Sequence, residues 1–318
     1  MFVSSVIHGC ARRAGCGCAR FVRGMILGGC FAGLALQCGA QAPALKGGRM
    51  IECSGLPCVD VTAEDGTHLK MLIDTGNTHS LLDMAKAKEL GLELGPVNGP
   101  DGKPYPNYFF ATLKGVKLGD AALGDIKLLV VDLQPDFAKG NIPKADGTLA
   151  YTAFGSRLLR LDYKSRSVGV SEILTAEVPC PGACGEVTTP TFGKHGPPIV
   201  VTTGFAVNGK PVAVQVDTLY SGSMLIFPTS VEKLGLERES AATKTRFFPF
   251  TDGGVDMTEG EARTESFQDT TLKKDATLYF ATPKVHTPDG MFDGTVGAEL
   301  FAGHVVTLDF YAHHFWMI

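Results

Sequence analysis

Asp74 and Asp217 are the residues from which chemistry can be argued. Met71-Leu72-Ile73 delivers Asp74 into Thr75-Gly76, and Ser80-Leu81-Leu82 leads away; 143 residues later Val214-Gln215-Val216 delivers Asp217 into Thr218-Leu219, and Ser223-Met224-Leu225 leads away. An acid set where an apolar run breaks into a turn is partly withdrawn from water and needs a reason. Two such acids brought face to face cannot both ionise cheaply, so the pair holds one proton and its two pKa values are driven apart. The chemistry available to that pair is acid–base work on a water: one carboxylate takes a proton from the water while the other, protonated, polarises a carbonyl. Neither a metal nor a covalent nucleophile is needed. Thr75 and Thr218 are placed to hydrogen-bond across the two turns, and Gly76 lets the backbone approach a carboxylate without a Cβ.

The elements that must position these residues occur twice. Leu90-Gly91-Leu92-Glu93 recurs as Leu234-Gly235-Leu236-Glu237 at an offset of 144. Asp146-Gly147-Thr148-Leu149-Ala150 recurs as Asp293-Gly294-Thr295-Val296-Gly297, and Leu161-Asp162-Tyr163 as Leu308-Asp309-Phe310, both at an offset of 147. Ordered recurrence at several anchors predicts two copies of one β-rich lobe. Within each copy the pattern is short strands and tight turns. Arg49 to Cys53 and Pro57 to Ala63 read as a hairpin around Ser54-Gly55, and Phe109 to Leu113 and Val116 to Leu118 as strands divided by a glycine turn. Short helices are expected from Asp83 to Leu90, with Asp83 as N-cap and Gly91 closing, and from Pro228 to Leu234. Gly95 to Pro104 is too rich in Gly and Pro for a core element and reads as an exposed loop or hairpin tip.

These residues resemble the aspartic peptidases, in particular their retropepsin-like lobes, which carry an Asp-Thr-Gly turn and a later apolar-apolar-Gly strand. The resemblance covers nearly all of residues 49–318. It implies an all-β fold of two retropepsin-like closed lobes related by a pseudo-twofold axis, with one aspartate from each facing a shared cleft and a flap hairpin above. Asp74 and Asp217 take the catalytic positions, Thr75, Gly76 and Thr218 support them, and Leu149-Ala150 and Val296-Gly297 brace the turns from the following strands. No metal or cofactor is implied, and the partner is a polypeptide substrate. The sequence departs from the family pattern at Leu219, where a glycine is expected. If that position requires φ > 0, a leucine there is strained by about 1–3 kcal/mol, unless the turn has another shape relieved by Gly222. Ala150 in place of glycine is a milder change. Two functions follow: an exported aspartic endopeptidase, or a non-catalytic module that keeps the cleft and holds extended peptide as an added strand.

Rival chemistries are poorly supported. Gly222-Ser223-Met224 lacks the G-x-S-x-G elbow of serine hydrolases. His79 lies near the first turn but imidazole has no part in this mechanism, and His313-His314, on a strand, point to opposite faces. Phe247-Phe248-Pro249-Phe250, before Thr251-Asp252-Gly253-Gly254, reads either as the second lobe's flap or as core residues at a strand start.

With 318 residues, 44% hydrophobic and 19% charged, the chain has enough length for two globular domains. The division read from it is a signal peptide over 1–42, an N-terminal lobe over 43–176, a Pro- and Gly-rich linker over 177–198 and a C-terminal lobe over 199–318. Residues 1–42 hold Arg12, Arg13, Arg20 and Arg23, no acid, the apolar run Met25 to Leu36, and then Ala40-Gln41-Ala42; basic start, apolar run and A-x-A site together predict export to the periplasm or cell exterior. Repeated glycines make that run poorly apolar for a membrane span. Its removal takes away four positive charges and moves the formal net charge from −4 to −8, which excludes an electrostatic footprint for nucleic acid. Four cysteines remain, Cys53, Cys58, Cys180 and Cys184, an even number that favours two disulfides. Local pairing, 53 with 58 and 180 with 184, is preferred over crossed pairing, which the sequence leaves open. The spacing is a poor match to structural zinc sites. The mature protein is expected to be a monomer, since a lobe that needs a partner finds one in its own second half.

Overall fold

The computed structural model describes residues 44–99, 101–139, 142–172, 180–191, 197–236, 244–246, 255–281 and 291–318. The signal-peptide reading of residues 1–42, the run Phe247 to Gly254 and linker residues 177–179 and 192–196 lie outside the described residues. Strands dominate, with only short helices between them. No helix among the described residues is long and apolar enough to cross a membrane.

Most strand pairings are antiparallel, and the parallel ones bracket the two aspartates. His68–Asp74 runs parallel to Gly147–Ala150, with Asp74 opposite Ala150, and Ser80–Asp83 runs parallel to Ala121–Val131. Further along the chain Lys210–Val216 runs parallel to Gly294–Val296, and Met224–Ile226 to Thr270–Ala281. The two Asp-Gly-Thr segments do the same work in these settings. Asp146 Oδ2 accepts from Lys70 N–H at 2.8 Å and Asp293 Oδ2 from Ala213 N–H at 3.0 Å. Each acid also meets a lysine of the nearby short helix, Lys86 of Met84–Glu89 at 3.6 Å and Lys233 of Pro228–Lys233 at 2.9 Å. A Cβ on Gly147 would lie 2.1 Å from Leu81 O, and one on Gly294 1.9 Å from Leu225 O. Only glycine lets those strands come so close.

A third ladder joins early and late chain. Leu45–Ile51, Ser167–Ser171, Leu158–Asp162, Val305–Asp309, His314–Met317 and Gly185–Thr188 lie side by side, all antiparallel. Its centre is the pairing of Leu158–Asp162 with Val305–Asp309. The principal buried cluster runs through both parts of the chain, from Leu69, Met71 and Ile73 to Val214, Val216, Phe280 and Phe315.

Local readings meet their physical causes here. Asp83 caps Met84–Glu89 by accepting from Ala85 N–H at 3.0 Å, and Gly91 follows at φ +62°. The hairpin after Leu45–Ile51 turns through Ser54 at φ 53° and Gly55 at φ 82° into Cys58–Thr62. Gly95–Asn98 pairs with the start of Pro104–Leu118. The two strands expected on either side of Gly115 are one, Pro104–Leu118; its register against Ala121–Val131 shifts between Leu113 and Val116, so Gly115, at φ +56°, makes a bulge rather than a turn. His313 sits at φ 59°, in the turn before His314–Met317, not on the strand.

Candidate active site

Asp74 closes a strand whose preceding three residues, Met71, Leu72 and Ile73, are fully buried. That strand is covered on both faces, which is why its apolar run is continuous rather than alternating. Asp74 is 4% exposed. Its carboxylate accepts from the backbone N–H of Gly76, and from Asn77 through both side chain and backbone. Asp217 follows Lys210–Val216. Its own N–H donates to Val296 O at 3.0 Å, while its Oδ1 accepts from the N–H groups of Leu219 at 2.9 Å and Tyr220 at 3.2 Å. Unlike Asp74, it keeps partial access to solvent.

The two turns are locked to each other by their threonines, both fully buried. Thr75 N–H donates to Thr218 Oγ1 at 3.1 Å and Thr218 N–H to Thr75 Oγ1 at 3.2 Å. Each hydroxyl then donates across, Thr75 Oγ1 to Val216 O at 2.8 Å and Thr218 Oγ1 to Ile73 O at 2.5 Å. Both hydroxyls and both threonine N–H groups of the crossing are satisfied, as burial demands. Gln215 Nε2 adds a bond to Gly76 O at 2.9 Å.

Gly76 brings the opposing acid close. A Cβ built on it would lie 2.4 Å from Asp217 Cγ and 2.7 Å from each of its oxygens, so the Asp217 carboxylate rests against the bare Cα of the first turn. Burial is the main force raising Asp74 well above the ordinary carboxylate range, and the Asp217 charge beside it adds to the effect. Asp217 is pushed up to about 6, by burial, against the pull of the Leu219 and Tyr220 N–H groups. Each acid therefore takes up a proton at higher pH than an exposed aspartate does.

The strain expected at Leu219 is absent. Neither Gly76 nor Leu219 occupies the left-handed region; the demand on this position is space. Leu219 is 7% exposed and lies in an apolar cluster otherwise built mainly from the first part of the chain, including Leu72, Leu81 and Leu133. Gly222 relieves no φ either. A Cβ there would lie 2.4 Å from the Tyr220 hydroxyl, so its bareness makes room for that ring.

Several contributors escape a reading of the motifs alone. Ser80 Oγ accepts from Ala150 N–H at 3.0 Å and ties the first turn's exit to the bracing strand. Its counterpart Ser223 instead donates to Glu265, a fully buried carboxyl on strand Val255–Phe267. Burial pushes Glu265 up to about 7. The sequence around it, Glu261-Ala262-Arg263-Thr264-Glu265, reads as solvent-facing. Along this strand the buried positions change phase between Ala262 and Glu265, so no simple alternation marks Glu265 as an inward residue. His79 is exposed, its ring 6.4 Å from that of Phe110. Cys53 is joined to Cys58 and Cys180 to Cys184, with Cα separations of 5.8 and 6.1 Å.

Comparison with known proteins bears on the first of the two turns. No curated protein sequence matches the chain. Among solved structures it is similar to a retropepsin-like aspartic protease from Rickettsia conorii, at 11% identity and a TM-score of 0.27, over 43% of this chain and 97% of that one. Residues 59–152, the stretch that holds Asp74 and its bracing strand Gly147–Ala150, match the family model of aspartyl proteases.

Proposed function

We propose that this protein is an exported aspartic-type endopeptidase, built from two copies of one β lobe and acting through Asp74 and Asp217. The observation that carries the reading is the reciprocal threonine lock with the Asp217 carboxylate seated on Gly76, because it ties the two aspartate-bearing turns together. The aspartyl-protease match over residues 59–152 supports it independently.

Hydrolysis then needs only the pair and a water. The ionised aspartate takes a proton as the water oxygen bonds to the scissile carbonyl carbon, and the protonated aspartate gives its proton to the carbonyl oxygen, producing a neutral gem-diol. On collapse the C–N bond breaks, the first acid passes its proton to the departing nitrogen, and the second recovers one from a gem-diol hydroxyl. A carboxylic acid and an amine leave, and the pair again holds one proton. The chain supplies both acids, so the enzyme works as a monomer on an extended polypeptide without a cofactor.

The test is cleavage of an unstructured protein from pH 3 to 7 by wild type, Asp74→Asn and Asp217→Asn. Wild type should give a bell on the acid side, and each variant should lose at least about 10³-fold in kcat while keeping its fold. Retained cleavage in Asp217→Asn would remove the second aspartate from the machinery. A folded wild type that binds extended peptide and cleaves none would favour the binding module.

A further inference from the structure

The exits of the two aspartate turns are held differently. In the first, Ser80 Oγ accepts from Ala150 N–H at 3.0 Å, an amide that does not titrate. In the second the equivalent amide, Gly297 N–H, donates to the main-chain oxygen of Ser223 at 3.0 Å, and the next two, at the start of the short helix Ala298–Phe301, follow suit: Ala298 N–H donates to Tyr220 O at 2.8 Å and Glu299 N–H to Gly222 O at 3.3 Å. The Ser223 hydroxyl is thereby left over, and it donates to Glu265 Oε2. Both side chains are buried, that of Glu265 completely. Among the described residues no group pairs with Glu265 Oε1. Strand Val201–Val207 sets the apolar Val207 on one side of Glu265, and strand Thr270–Ala281 sets Lys273 on the other. The ammonium of Lys273 is committed elsewhere, to Glu299 Oε1 at 2.5 Å. The charged groups that reach Glu265 are thus Lys273 and Glu299.

From this arrangement we infer that Glu265 is a positioning residue whose proton controls the hold on the second aspartate turn: neutral, it keeps the Ser223 hydroxyl inside the fold and leaves Lys273 to Glu299; ionised, it draws on both. A carboxylate buried with a single donor is costly and must gain partners. Two groups can answer it. One is Ser223, at the exit of the turn, and the other is Lys273, whose move strips Glu299 of its cation. The N–H of Glu299 itself rests on Gly222, so either response is felt by the turn that carries Asp217. The first turn has no such dependence, since its serine is held by a backbone amide. Burial pushes Glu265 up to about 7, so the hold is full in acid and is lost as pH climbs through that value. What the loss does to cleavage rests on the function proposed above; the response of the turn does not.

The experiment is an NMR titration of the ¹³C,¹⁵N-labelled protein from about pH 4.5 to 8.5, following the Glu265 carboxyl carbon beside the amides of Gly297 and Glu299, with Ala150 as the first-turn control. The carboxyl should titrate near pH 7. The Gly297 and Glu299 amides should carry a component with the same midpoint, which Glu265→Gln removes while leaving whatever the two aspartates contribute; Ala150 should carry none. Lys273→Met should raise the Glu265 midpoint by about half a pH unit or more, and Glu299→Gln, which frees the lysine, should lower it, the amide component moving with it each time. These last two variants decide the matter even if Glu265→Gln does not fold. A Glu265 carboxyl that keeps one form across the range, an amide component that persists in Glu265→Gln, or a midpoint indifferent to both Lys273→Met and Glu299→Gln would overturn the inference. Because the readout needs no substrate, failure to cleave peptide alongside the expected titration would defeat the proposed function and leave this inference standing.

Discussion

At the scale of single residues, the site turns on what is missing from Gly76. Its importance is steric: the carboxylate of Asp217 occupies the place of its Cβ. Gly76→Ala must therefore displace Asp217 or the first turn, and a misplacement of the order of 1 Å costs about 10²-fold in rate. We expect Gly76→Ala to fold, since the threonine lock does not involve that Cβ, and to lose about 10²-fold in kcat with little change in KM; steady-state kinetics on a short peptide substrate measures both. Unchanged kcat would mean that the approach of Asp217 to the first turn is not used in catalysis. At the corresponding position in the second turn the sequence left two readings open for a specific reason. A glycine can be required by dihedral angle or by space, and a one-dimensional pattern does not distinguish them. Leucine is excluded only by the first requirement or by a neighbour in the way, and at position 219 neither applies.

At the scale of elements, the two aspartate strands are held together by buried hydroxyls rather than by apolar contact alone. Thr218→Val removes the donor to Ile73 O and the acceptor for Thr75 N–H. Leaving such groups unpaired costs about 1–3 kcal/mol. The two hydroxyls also meet each other, Thr75 Oγ1 to Thr218 Oγ1 at 3.5 Å, so the double change with Thr75→Val should depart from the sum of the two single changes, as expected for residues in one network. Denaturant unfolding of the four proteins gives the coupling, and strict additivity would contradict a shared lock. Much of this was legible beforehand, because the elements repeat: Asp-Thr at the strand ends, Asp-Gly-Thr in the bracing strands, a short helix after each turn. Repetition turns a weak local signal into a strong one. The ladder that mixes early and late strands was not legible, since pairing partners far apart in sequence leave no periodic trace in either. Glu265 was hidden for another reason: it is a charged residue in a polar run, and the buried positions of its strand change phase between Ala262 and Glu265. Gly115 was read as a turn where the strand only bulges.

At the scale of the molecule, acids withdrawn from water decide how stability follows pH. Asp74, Asp217 and Glu265 all have folded pKa values raised by burial, with Asp217 at about 6 and Glu265 at about 7. A raised acid binds its proton more tightly when folded. The stability it confers is complete below the unfolded pKa and disappears as pH climbs through the folded one, here between about 4.5 and 7. Asp65, Asp162 and Asp293 are shifted downward and act oppositely, losing their contribution as pH falls through the acid range. Greatest stability is expected between these windows, near pH 4 to 5. Glu265→Gln isolates one contribution: its melting temperature relative to wild type should rise from pH 4.5 to 7.5, by a difference corresponding to the order of 3 kcal/mol. Parallel melting curves across that range would show that Glu265 does not ionise in the fold. The ladder centred on Leu158–Asp162 and Val305–Asp309 has a bearing on how the chain is made. A nascent polypeptide emerging in order presents Leu158–Asp162 as an open edge, with unpaired N–H and C=O groups, until Val305–Asp309 has been added. The vulnerable moment for aggregation is therefore during synthesis, before the last strands have emerged to cover that edge.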